Sequence, residues 1–193
     1  MARRPDIAHR TELAERAFEA IRARGVHRTT MSDIATALEI KRPTLYWYFR
    51  DLGAIFETVF EETQRRYFAF AAARLADVEH PLDYLEALGR ATLDFHRGRR
   101  EVIVLLFQLW AVGGSEEPER VLARGRAAIE PMRAGLIARL EDGVRRGLVA
   151  PCDAAAIIDL AIAVTDGALV QWITRDAPAE PVLAEFRRRV LEP

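Results

Sequence analysis

Apolar residues recur at three- and four-residue spacing almost throughout this 193-residue chain, and no segment shows the strict alternation of a half-buried strand. That periodicity restricts the chain to an all-α class: a three-helix N-terminal head followed by a C-terminal helical bundle, nine to ten helices in total. Leu13, Ala17, Phe18 and Ile21 form the buried stripe of a first helix over 10–24, which Gly25 can end. Thr30-Met31-Ser32-Asp33 is a capping-box pattern announcing a second helix, with Met31, Ile34, Ala35 and Leu38 facing inward. Glu39, Ile40 and Lys41 alone separate it from a third helix over 42–49. A long fourth helix over 52–75, about 35 Å at ~1.5 Å per residue, can join head to body.

Further helices are expected to about residue 97, over 99–112, over 116–146 with a kink at Pro131, over 153–175 with Asp153 as cap, and over 181–191. Gly113-Gly114-Ser115 breaks the chain between the second and third of these. The helix over 153–175 is apolar nearly all round (Ile157, Ile158, Leu160, Ile162, Val164, Leu169, Val170, Trp172) and cannot meet solvent on every side in a lone domain. It and the last helix are the expected homodimer interface, each covering one side against its own body and another against a twin.

Charge separates the same two parts. Residues 1–50 carry ten Lys and Arg against six Asp and Glu, and residues 51–193 carry eighteen against twenty-three. A basic head on an acidic body directs the head alone toward a polyanion. The division expected is a DNA-binding domain over 1–51 and a sensing and dimerisation domain over 52–193. Cys152 is the single cysteine, so no internal disulfide can form and a cytoplasmic home is expected. The apolar run 102–107 is too short to span a bilayer, and the arginine-bearing start lacks the apolar core of a signal peptide, so no membrane partner is expected.

Two short helices joined by three residues form a helix-turn-helix. At 100° per residue, Leu45 and Phe49 point one way with Tyr48 beside them, while Pro43, Tyr46, Trp47 and Arg50 point the other, flanked by Arg42 and Thr44. Burial does not account for an outward Tyr-Trp pair; a major groove does, because it presents base edges, thymine methyls and phosphates together. Thr44 and Tyr46 can bond phosphates, and Arg42 and Trp47 can reach bases.

Thr29-Thr30-Met31-Ser32-Asp33-Ile34-Ala35 and Lys41-Arg42-Pro43-Thr44-Leu45-Tyr46-Trp47-Tyr48-Phe49 together resemble the N-terminal signature of the TetR (tetracycline-repressor) family, over about residues 10–60. Beyond it the chain is similar to the family in helix layout only. The resemblance implies an omega-shaped homodimer, a small-molecule cavity in each body and repression relieved by the ligand. It places Thr29 and Thr30 on phosphate at the second helix, with Arg28 beside them. Lys41, Arg42, Pro43, Thr44 and Trp47 would face bases, and Tyr46 and Tyr48 would contact the backbone. Three residues depart from the family pattern: Glu39 at the usual turn glycine, Lys41 at a common capping serine, and Leu52 at a usual phosphate-contacting lysine, which Arg50 can compensate.

In the body, aromatic residues with polar groups among them suit a small, mostly apolar effector. The candidate ligand residues are Phe60, Tyr67, Phe95, His96, Phe107, Gln108, Trp110, Thr165, Asp166 and Trp172, against the simpler alternative that each is core or interface. His9, His27, His80 and His96 have no paired spacing, so no metal site is expected, and no cofactor is implied. Arg187-Arg188-Arg189 reads as a solvated face. The function expected is a ligand-responsive repressor on a palindromic operator. The rivals are a DNA-binding dimeric factor or activator without an inducer and, with nothing beyond the aromatic body to favour it, an all-helical enzyme.

Overall fold

The computed structural model describes residues 6–100, 103–104 and 116–191, and no strand occurs among them. The elements are α1 (Ile7–Arg24), a 3-10 turn (Val26–Arg28), α2 (Met31–Ala37), α3 (Arg42–Tyr48), α4 (Leu52–Leu75), α5 (Pro81–Arg97), α6 (Glu116–Arg145), α7 (Ala154–Arg175) and α8 (Glu180–Phe186), closed by a π turn (Arg187–Leu191). Eight α-helices are thus found among the described residues, rather than nine to ten. Arg100, Ile103 and Val104 are helical, and the rest of the helix expected over 99–112, with the break at 113–115, lies outside the described residues. The last expected helix is shorter because its final turn widens into π geometry.

Local signals account for the boundaries. Asp6 caps α1, its carboxylate accepting from the Ala8 amide at 3.0 Å, so the helix starts three residues before the expected Arg10. The capping box of α2 is complete: Thr30 Oγ1 accepts from the Asp33 amide and Asp33 accepts from the Thr30 amide. Asp153 caps α7 through the Ala156 amide at 3.0 Å. α6 runs through Pro131 as one helix.

The chain divides into two compact units, one of residues 1–66 with 101–126 and one of 67–100 with 127–193. The first has one core. Leu13, Ala17, Phe18 and Ile21 of α1 meet Met31, Ile34 and Leu38 of the second-helix region, Leu45 and Phe49 of the third, and Ile55, Phe56 and Val59 of α4. Phe18 meets Phe56 edge-on at 6.2 Å. The second unit has two layers along α5. Leu85 packs with Leu136 and Leu140 of α6 and with Ala154 and Ile158 of α7. Leu93, two turns on, packs with Ala168, Ala179 and Leu183.

Close helix approach is permitted by glycine at two points. A Cβ at Gly89 would stand 3.4 Å from Thr165 Oγ1 of α7, and one at Gly143 would stand only 2.6 Å from the Pro81 ring at the start of α5. Arg187 does more than solvate its helix: it reaches Asp83 at 3.0 Å and also pairs with Glu86, both on α5, whereas Arg188 and Arg189 pair locally with Glu185. α7 is long and apolar enough to cross a membrane by length and composition, with mean hydropathy 1.6 over its best window.

Two backbone substitutions should move stability in opposite directions. Glu39 has φ +56°, in the left-handed region where a side chain costs about 1 kcal/mol. Glu39→Gly should therefore raise unfolding free energy by about 1 kcal/mol in urea titration. Gly143→Ala should lower it by about 1–3 kcal/mol, because the proline ring cannot yield as a flexible side chain would, and that strain exceeds the ~1 kcal/mol helix-propensity gain of alanine.

Candidate nucleic-acid interface and effector cavity

Leu45 and Phe49 are fully buried (0% exposed), and this pair sets the rotation of α3. The opposite face is open: Lys41, Arg42, Pro43, Thr44 and Arg50 are exposed, as are Tyr46 at 42% and Trp47 at 49%. Arg42 lies over the Tyr46 ring, 5.5 Å from its centre, and its guanidinium reaches the Tyr46 hydroxyl at 3.5 Å. Trp47 meets Tyr48 edge-on at 4.6 Å, and Tyr48 in turn meets His9 of α1 at 5.4 Å. Tyr48 is thus half-buried between two rings and less available than Tyr46. Arg10 stands over the Phe49 ring at 5.4 Å.

The residues ahead of α2 differ from expectation at one position. Thr29 is only 6% exposed, and its hydroxyl donates to the Gly25 carbonyl at 2.8 Å. That bond closes the turn after α1 and takes the side chain away from any phosphate. Arg28 and Thr30 are exposed, although the Thr30 hydroxyl is held by Asp33 at 2.6 Å. That hydrogen bond is the largest of the effects holding the Asp33 carboxyl below its ordinary range. Leu52 packs against the core of the first unit, Lys41 provides no side-chain cap for α3, and Arg50 pairs with Asp51 at 3.2 Å.

The expected effector residues fall in three places. Phe60 packs against the core of the first unit, and Phe107, Gln108 and Trp110 lie outside the described residues. Tyr67, Phe95 and His96 come together in the second unit. Tyr67 meets Phe95 at 5.5 Å and stacks on His96 at 6.2 Å, and its hydroxyl bonds Thr92 Oγ1 at 2.8 Å. Burial raises the Tyr67 phenol and, with the nearby Arg99 charge, lowers His96 to about 4. The His96 Nδ1 atom is buried and has no hydrogen-bond partner. Thr165 bonds its own helix at Ala161, and desolvation raises the Asp166 carboxyl although the side chain retains access to solvent. Trp172 lies beneath Arg100 at 6.0 Å.

A cavity of about 450 Å³ opens in the second unit, and of the expected residues only Tyr67 lines it. Its walls are Phe68, Ala71, Ala72 and Leu75 of α4, Tyr84 and Leu88 of α5, and Pro131, Met132, Gly135, Leu136 and Arg139 of α6. Sequence reasoning missed this wall. The available signal was Arg139, a cation at the i+7 position of the stripe Met132, Leu136, Leu140, where a purely packing helix carries an apolar residue.

An all-helical chain with a buried-and-exposed third helix of this kind is a helix-turn-helix protein. Residues 13–59 match the family model of bacterial regulatory proteins of the tetR family, so the N-terminal part of the chain is similar to the DNA-binding domain of that family. The whole fold is similar to a TetR transcription regulator from Haloarcula marismortui (TM-score 0.74, 19% identity, 94% of each chain covered). It is likewise similar to the fatty acid degradation regulator FadR from Bacillus halodurans (TM-score 0.73, 15% identity, 94% of each chain). A third similar structure is AibR in complex with isovaleryl coenzyme A and operator DNA (TM-score 0.66, 17% identity, 95% of this chain and 99% of that one). No curated protein matches the chain in sequence.

The depressed His96 makes a pH prediction. The unfolded chain takes up this proton near 6.5 and the folded chain only near 4, so the contribution of neutral His96 is complete above 6.5 and is lost as pH falls through that window. His96→Phe should lessen the loss of stability between about pH 7 and pH 5 in urea titrations. An unchanged slope would place His96 in contact with water.

Proposed function

We propose that the protein is a ligand-responsive transcriptional repressor that binds a palindromic operator as a homodimer and is released by a small, mostly apolar molecule. One observation carries the DNA-binding half. A seven-residue helix and its C-cap residue bury Leu45 and Phe49 completely while holding Arg42, Thr44, Tyr46 and Trp47 in solvent. An exposed aromatic and basic face of this kind has no role in packing its own domain, and a groove satisfies every group on it. Arg42 and Trp47 read bases, with Lys41 and Pro43 beside them. Thr44, Tyr46, Tyr48, Arg50, Arg28 and the Thr30 segment hold the phosphate backbone. The DNA-binding part is residues 1–51 and the sensing and pairing part 52–193.

The cavity supports the sensing half, because it is concave and mainly apolar with few polar groups. AibR holds isovaleryl coenzyme A and operator DNA in one complex, so a chain of this fold accommodates both kinds of partner. Release follows if the effector binds the state unable to hold DNA better than the DNA-competent one, and DNA then weakens the effector by the same factor.

Pairing falls to α7 and α8. Ala156, Leu160, Ala163, Val170 and Thr174 are exposed at helical spacing along α7, and Val182 is exposed on α8. Asp159, paired with Arg133 at 2.7 Å, and Asp166 share the exposed side of α7. Lipid would exclude those carboxylates, whereas a second copy of the chain accommodates them at its rim, so the reading is a cytoplasmic dimer without a membrane.

Selection of bound sites from random duplexes at a stated salt concentration should return a palindrome with half-sites about 34 Å, one DNA turn, apart. Recovery of no preferred sequence, or of an unpaired half-site, counts against the reading. Thr44→Ala and Tyr46→Ala should weaken binding roughly tenfold across sequences without altering the dimer, and Arg42→Ala should relax preference at particular base pairs. Leu160→Arg should yield a folded monomer in sedimentation equilibrium, with operator affinity reduced at least about tenfold, since each head alone makes few phosphate contacts.

A further inference from the structure

We infer that the α4–α5–α6 cavity takes an amphipathic monocarboxylate, with its carboxylate on Arg139 and its apolar body along Ala71, Leu75 and Met132. This rests on the sensing role proposed above and narrows it to one chemical class.

Arg139 is the one charged residue in the lining. Its guanidinium is held from the protein side: Nη2 donates to the Val78 carbonyl at 2.6 Å and the Glu79 carbonyl at 3.2 Å, and the Tyr84 ring lies 4.0 Å beneath it. Those partners are neutral. Among the described residues the partners of Arg139 are these carbonyls and this ring, with no carboxylate, and its Nε–H is buried with no acceptor at all. A guanidinium so placed is oriented but not neutralised. A neutral acceptor would satisfy the Nε–H bond, but only an anion also offsets the charge, and a carboxylate matches the planar donor edge.

The rest of the wall sets the remainder of the ligand. No acid lines the cavity, so an amine or zwitterion would bring a cation with no partner. A single cation argues for a single negative charge. The other lining side chains are apolar or aromatic, which calls for a hydrocarbon or aryl body. A space of about 450 Å³ equals that of about fifteen waters at ~30 Å³ each, so the ligand has roughly ten to fifteen non-hydrogen atoms.

The test is calorimetric titration of the full-length protein with decanoate and with phenylbutyrate, each against its alcohol. At least one acid should bind, more tightly than its alcohol by at least about tenfold. Arg139→Gln should abolish that preference. Ala72→Phe, at a solvent-exposed position on the cavity wall, should weaken acid binding by a similar factor while retaining the parental melting curve, and it decides the matter if Arg139→Gln fails to fold. Failure of both acids to bind, equal binding of acid and alcohol, or binding indifferent to Ala72→Phe overturns the inference. Operator affinity is read in parallel to separate the two proposals. Acid bound in the cavity with operator affinity unchanged would overturn the sensing role and leave the carboxylate site standing. Operator release by uncharged compounds, blocked by Ala72→Phe, would overturn the carboxylate and leave the sensing role standing.

Discussion

The burial of Leu45 and Phe49 in the core of the first unit governs what the rest of that unit can do. A seven-residue helix is too short to persist alone in water, because the nucleation cost is met by too few hydrogen bonds. α3 exists because Leu45 within it and Phe49 at its C-cap are both fully buried in the core, and those two anchors fix its rotation. The face presented to solvent is therefore a consequence of packing. Arg42 and Tyr46, themselves four apart, stack on each other on that outer face, and the Tyr48–His9 contact braces the ring beside Trp47. Rigid aromatic and guanidinium groups lose little conformational freedom when they meet a duplex.

The same logic gives α4 two duties. Its first half supplies Ile55, Phe56 and Val59 to the core of the first unit, and its second half supplies Ala71, Ala72 and Leu75 to the cavity wall of the second. In the second unit α5 is the common element, because Leu85 and Leu93 each organise a separate apolar layer. Gly89 and Gly143 bring neighbouring helices close to it, and Arg187 ties the C-terminal turn to Asp83 and Glu86.

The head was readable in the sequence because its determinants are local. A capping box, a three-residue turn and an apolar stripe all act within a few residues of one another, so spacing alone predicts which face of α3 is buried. Thr29 escaped that reasoning because its inward turn depends on the carbonyl of Gly25, set by how α1 ends. Phe60 was assigned to the effector site from its place on a long helix, yet which unit each turn of α4 joins is decided by tertiary contacts. The cavity was invisible for the same reason. Its walls come from residues 67–88 and 131–139, and no periodicity tells which of their apolar residues meet and which face a void.

Two polar atoms in the second unit remain costly for stability alone. His96 Nδ1 and Arg139 Nε are buried without partners, and an orphaned buried donor or acceptor costs about 1–3 kcal/mol. Tyr67 joins their surroundings, because it stacks on His96 and also lines the cavity that Arg139 borders. His96 stays neutral down to about pH 4 and so offers one donor and one acceptor, while Arg139 offers a donor and a charge. A core optimised only for packing replaces such groups with apolar side chains of similar volume at little cost. Arg139 borders a concave, otherwise apolar space, where a visiting molecule can complete its hydrogen bonds, whereas His96 lies behind that wall and meets it only through Tyr67.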